Sequence, residues 1–96
     1  VNVQTIEPLR TTACTDADRI IHGERRDDYG SPLESFDSIA QLWSVVLRTE
    51  VTAEQVALCM IQLKVARAMN GYQYDSFVDI CGYAGCLDLI RQERSA

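Results

Sequence analysis

Two stretches of this sequence carry residue types and spacings that could do chemistry. The first is Lys64-x-x-Arg67 followed by Asp75-x-x-x-Asp79-x-x-x-Tyr83. Lys64 and Arg67 interrupt a run from Val56 to Met69 that is otherwise almost wholly apolar. Burying such charges is costly unless a partner meets them. Asp75, Asp79 and Tyr83 recur at the spacing that lines one face of a helix. The connection Asn70-Gly71-Tyr72-Gln73-Tyr74 is short, so the two helices should run antiparallel as neighbours. That arrangement brings Lys64 and Arg67 toward Asp75 and Asp79. Two chemistries fit. The four charges can form a salt-bridge network that fixes the hairpin. Alternatively, Asp75 and Asp79 hold magnesium while Lys64 and Arg67 meet phosphate oxygens.

The second stretch is Arg25-Arg26-Asp27-Asp28-Tyr29-Gly30, directly before a strong helix start. Its arginines, with Asp28 and Tyr29, could form half of a phosphate-handling site, since free amides at a helix start attract anions. Its plain alternative is a solvated turn at Gly30. Glu34-x-x-Asp37 has a spacing that can grip magnesium, although Glu34 is already expected to cap its helix. His22 has no recognisable nucleophile beside it. Gly82 and Gly85, inside a helical pattern, imply close approach of another helix or a ligand. The four cysteines, Cys14, Cys59, Cys81 and Cys86, form no Cys-x-x-Cys pair. They are expected to be buried free thiols in a reducing cytosol.

The elements that must position these residues are helical. A first helix is expected from an N-cap at Thr15 or Asp16, weakening at Gly23. Ser31 as N-cap, Pro32 in the first turn and Glu34 as the return partner start a second helix, ending near Arg48. On it Leu33, Phe36, Ile39, Ala40, Trp43, Val46 and Leu47 share one apolar stripe. Thr52 with Gln55 starts a third helix, stopped at Asn70-Gly71, and Asp75 or Ser76 starts a fourth. No segment alternates as a strand does. Residues 1–14, with Pro8, read as a flexible N-terminal arm. The expectation is all-α: a small four-helix bundle in one domain over residues 15–96.

A formal net charge of -5 over 96 residues argues against coating nucleic acid or an anionic membrane. Lys64 is the sole lysine beside eight arginines, a bias toward planar contacts to phosphate or carboxylate that genome composition would equally produce. No apolar run reaches membrane-spanning length and no signal pattern opens the chain, so a cytoplasmic place is expected. The start at Val1 is what trimming or processing would leave. A chain this short, with a third helix apolar nearly all round, is expected to form a homodimer or higher homo-oligomer.

The motifs Asp28-Tyr29-Gly30-Ser31-Pro32, Phe36 with Ile39-Ala40 and Leu42-Trp43, Lys64-x-x-Arg67 and Asp75–Ala84 together resemble a small helical family found mainly in phages and their bacterial carriers. The order Asp-Tyr-Gly, Lys-x-x-Arg, Asp-x-x-x-Asp-x-x-x-Tyr also resembles the phage nucleotide modification associated domain. More distantly, the helical plan is similar to MazG-type all-α nucleoside triphosphate pyrophosphohydrolases. The resemblance spans about residues 15–92. It implies a MazG-like plan, host-cytoplasmic action if phage-encoded, and a nucleotide or other phosphorylated ligand touching Asp28, Tyr29, Lys64, Arg67 and Tyr83; Arg25, from the charged stretch before Gly30, joins that candidate set. Magnesium would sit at Asp75 and Asp79. In the MazG scheme, Glu-x-x-Glu and Glu-x-x-Asp hold the metal; here Glu34-x-x-Asp37 and Asp75-x-x-x-Asp79 stand instead. Two functions follow: a magnesium-dependent pyrophosphohydrolase-like protein, or a non-catalytic oligomeric module that sequesters a nucleotide or engages a host protein.

Overall fold

The computed structural model describes residues 11–96 and is all-α over them. Most of the expected N-terminal arm, residues 1–10, lies outside the described residues. The helices are α1 (Ala13–His22), α2 (Glu24–Tyr29), α3 (Pro32–Leu47), α4 (Ala53–Ala68) and α5 (Tyr74–Ser95). Four of them form the expected bundle, and α2 is a piece of only six residues.

Local chemistry sets each start. α1 begins earlier than the sequence suggests, because Thr12 and Thr15 cap each other. Thr15 N donates to Thr12 Oγ1 at 3.2 Å and Thr12 N to Thr15 Oγ1 at 2.8 Å. This reciprocal pair satisfies two donors and takes Ala13 and Cys14 into the helix rather than the arm. At α3, Ser31 Oγ accepts from Glu34 N at 3.2 Å, but the expected return from the Glu34 side chain is absent among the described residues. At α4 the Thr52–Gln55 box is complete.

The segment expected to be a turn is instead α2. Gly23 ends α1, and Arg25 to Tyr29 then wind on without burying a side chain. Gly30 stops them with φ 73, a left-handed value that suits glycine.

The core gathers Ile21 of α1, Phe36 and Ala40 of α3, Ala53 and Val56 of α4, and Cys86 and Ile90 of α5. α5 packs against both α4 and α1. Small residues Ala53 and Ala57, both wholly buried, let α4 lie close to its neighbours. At Gly85 a Cβ would fall 2.6 Å from Ile21 Cδ1, so helix packing explains that glycine. Gly82 is less crowded, with its nearest neighbours at 3.9 Å.

The apolar stripe expected on α3 is only partly buried. Phe36 and Ala40 are core, yet Val46 is 79% and Leu47 59% exposed. The last turns of α3 extend beyond what the other helices cover.

Candidate functional site

The sequence-derived charges meet in part. Lys64 Nζ reaches Asp79 Oδ2 at 2.9 Å, joining α4 to α5. Lys64 is the more buried of the two, with its side chain 18% exposed against 43% for Asp79. A charge so enclosed needs the partner that Asp79 supplies. Arg67 lies one turn on, about 60° round the helix from Lys64 at 100° per residue, and is exposed. Asp75 is exposed in the first turn of α5, where free amides favour an acidic side chain. Neither forms an ion pair among the described residues.

Asp79 also faces a cavity. Between α1 and α5 a space of about 50 Å³ is lined by Ala17, Ile21, Arg25, Asp79, Gly82 and Tyr83, among others. A second space of about 20 Å³ shares Ile21, Arg25 and Cys86 with it and adds Arg26, Tyr29 and Phe36. Arg25 therefore stands between the two, its guanidinium 4.8 Å from the centre of the Tyr29 ring. Tyr83 is held from behind by Phe36, edge-to-face at 6.1 Å. So Arg25, Tyr29, Asp79 and Tyr83 line one pair of adjoining spaces, with Lys64 bound to Asp79. Asp28, Arg67 and Asp75 line neither. Pockets that enclose a drug-sized ligand run to about 300–1,000 Å³, so in this conformation the space admits one small group of a ligand.

The donor set is thin for a metal. Among the described residues no three His, Cys, Asp or Glu side chains gather for one ion. Asp75 and Asp79 are the two available carboxylates, and Lys64 already occupies an oxygen of Asp79. Magnesium there would take most of its ligands from phosphate and water.

The helix start after Gly30 is also taken. Glu93, from the last turns of α5, accepts from Ser31 Oγ at 2.9 Å and from Leu33 N at 3.2 Å. Arg26 Nη1 meets the other oxygen of Glu93 at 3.2 Å. The anion this helix start attracts is a side chain of the same molecule. Beside it, Arg94 holds Glu54 through two bonds, 2.9 and 3.0 Å, and Asp37 at 3.4 Å. The Arg94 hydrogen bond keeps the Glu54 carboxyl below its ordinary range. Asp37 is thus engaged away from Glu34. Sequence reading missed both contacts. Their signal was an acidic residue, Glu93, placed against the helix dipole between Arg91 and Arg94.

The thiols also differ from expectation. Cys86 is buried, but Cys14 and Cys59 are exposed and Cys81 is half-buried. His22 bonds locally, its Nδ1 lying 2.8 Å from the Asp18 carbonyl oxygen. No helix among the described residues is long and apolar enough to cross a membrane.

An all-α chain with a small groove lined by Arg25, Asp79 and the rings of Tyr29 and Tyr83 is the class these features define. Residues 12–91 match the family described as Domain of unknown function (DUF6378), and the chain belongs to that family. It is 48% identical over 79 residues to the Gene 55 protein of Mycobacterium phage D29, a match covering 81% of this chain and 52% of that protein. To the Gene 55 protein of Mycobacterium phage L5 it is 51% identical over 76 residues, covering 77% of this chain and 49% of that protein. The chain thus spans about half the length of the curated relatives it matches. No solved structure matches it.

Proposed function

We propose that this chain is a phage accessory module that pairs with a second copy of itself and presents the Arg25–Tyr83 groove to a small phosphorylated ligand of the nucleotide class. The observation that carries this reading is the number of large apolar side chains that α3 and α4 leave exposed. Leu42, Val45, Val46 and Leu47 on α3, Leu58, Leu63 and Val65 on α4, and Met69 just past its end are all exposed in part or in full. These eight residues range from 39% to 82% exposed. Stable interfaces bury about 800 Å² per partner, and large exposed apolar side chains are the kind of surface they use. Gln41 to Leu47 and Val56 to Leu63 contain no charged residue in a chain of net charge -5. Two copies repel least where these faces meet. An isologous pairing would cover the same patch on both.

The ligand half of the reading is supported by Arg25 and Lys64, which supply positive charge, and by Tyr29 and Tyr83, whose rings suit a base or sugar. Arg67 and Asp75 lie outside the groove and would act on a ligand that extends beyond it. Magnesium belongs to this reading as the companion of the phosphates, beside Asp75 and Asp79. A MazG-like plan accords with the all-α chain and a shared α4. Hydrolysis would be an addition to binding, and release of pyrophosphate would establish it.

Light scattering on a size-exclusion column tests the pairing. The wild-type chain should elute as a dimer and Val46→Asp as a folded monomer. A wild-type monomer at high micromolar concentration would sink the self-pairing and leave another partner for that face. Thermal shift with a nucleotide panel, with and without magnesium, tests the ligand. Stabilisation should be lost in Arg25→Ala, and no shift with any nucleotide would end the nucleotide reading.

A further inference from the structure

Cys14 in the first turn of α1 and Cys81 in the middle of α5 bring their sulfurs to 2.7 Å. A covalent S–S bond is about 2.05 Å, so two thiols at this distance need only a small approach to bond. Sixty-seven residues of sequence separate them, and the packing of α1 on α5 brings them together. Access is available, since Cys14 is exposed and the pair borders an open cleft with Asp18 and Asp88 on its rim. The other two thiols are placed differently, Cys86 in the core and Cys59 exposed on α4.

We infer that Cys14 and Cys81 form a reversible dithiol–disulfide pair that clamps α1 onto α5. The oxidant is a low-molecular-weight disulfide, RSSR. Cys14, the more exposed, attacks one sulfur of RSSR as its thiolate, giving a Cys14–S–S–R mixed disulfide and releasing the first RSH. Cys81 then loses its proton and attacks Cys14 Sγ, forming the Cys14–Cys81 bond and expelling the second RSH. Two electrons pass from the protein to RSSR, and the two thiol protons end on the two RSH molecules. In the reduced form the Cys14 contact and partial burial push the Cys81 thiol up to about 11, so Cys81 keeps its proton until Cys14 has reacted.

The clamp acts on the groove. Cys81 lies between Asp79 and Tyr83 on α5, and Cys14 precedes Ala17 and Ile21 on α1, four of the residues that line the 50 Å³ space. Joining the sulfurs fixes the distance between these two walls. It also closes a long loop in the unfolded chain, where cross-links restrict the most freedom.

The test incubates the reduced full chain with excess glutathione disulfide and reads intact mass, thiol-mapped peptides and Tm. The expected product has lost two hydrogens, carries a peptide joining Cys14 to Cys81, and melts on the order of 10 °C higher than the reduced chain. Cys14→Ser, at an exposed position, should fold normally by circular dichroism yet gain neither the link nor the Tm shift. Separate glutathione adducts on Cys14 and Cys81, or a disulfide through Cys59 between molecules, would overturn the proposal. So would a Cys14–Cys81 bond that lowers Tm, because the native geometry would then oppose it.

Discussion

The two long sides of this bundle are built by opposite rules. Along α5, charged residues find partners on every neighbouring helix: Asp79 with Lys64 of α4, Glu93 with Arg26 of α2, and Arg94 with Glu54 of α4 and Asp37 of α3; on α2, Arg25 lies over Tyr29. Asp16 accepts a hydrogen bond from the Tyr74 hydroxyl, which lowers its carboxyl pKa and raises that of the phenol. On α3, above all in its last turns, and on α4, large apolar side chains face water without cover among the described residues. The first side is satisfied within one chain; the second is not. Polar surface finished internally suits a site that must hold its shape. Apolar surface left open is costly in water and gains most from burial against another surface.

Substitutions can break this contrast, beginning where both sides share a core. Ile90 is wholly buried, and Ile90→Ala should cost about 2–5 kcal/mol in urea unfolding, affecting both sides alike. Gly85→Val acts on the groove side alone. Its added atoms press on Ile21 Cδ1, so a loss of about 1–3 kcal/mol is expected, with Ile21→Ala restoring part of it. A double-mutant cycle of Lys64→Met and Asp79→Asn should give a smaller coupling of about 0.5–1 kcal/mol, because Asp79 is half-exposed. The least effect is one of pH. Arg94 holds the Glu54 pKa below its ordinary 4.5, so the unfolded chain takes up the proton first. The stability Glu54 contributes is therefore full above about 4.5 and is lost as pH falls through the lower folded value. Glu54→Gln should flatten that part of the acid limb in thermal melts between pH 5 and pH 3, while Val46→Ser on the other side should leave it unchanged.

Much of the fold was legible because helix starts are local. Ser31-Pro32 and Thr52 with Gln55 mark two starts correctly, and Gly23 marks the end of α1. The antiparallel α4–α5 hairpin and its Lys64–Asp79 pair followed from spacing and a short connection. What failed was long-range. Nothing near Ser31 reveals that Glu93 will reach it, and nothing near Cys14 reveals Cys81, because each contact depends on where a distant helix docks. The Val46 end of α3 misled for a related reason. An apolar stripe shows which face seeks cover, and the length of the neighbouring helices decides how much it receives.

One further property follows from the last turns of α5. Helix ends ordinarily fray first, and their amides exchange with solvent at little free-energy cost. Here adjacent residues, Glu93 and Arg94, fasten the starts of α3 and α4. Opening that end would take an acceptor from the first turn of α3 and an ion pair from the first turn of α4 at once. Its amides should therefore exchange nearly as slowly as those around Ile90, making the far end of α5 part of the cooperative folding unit.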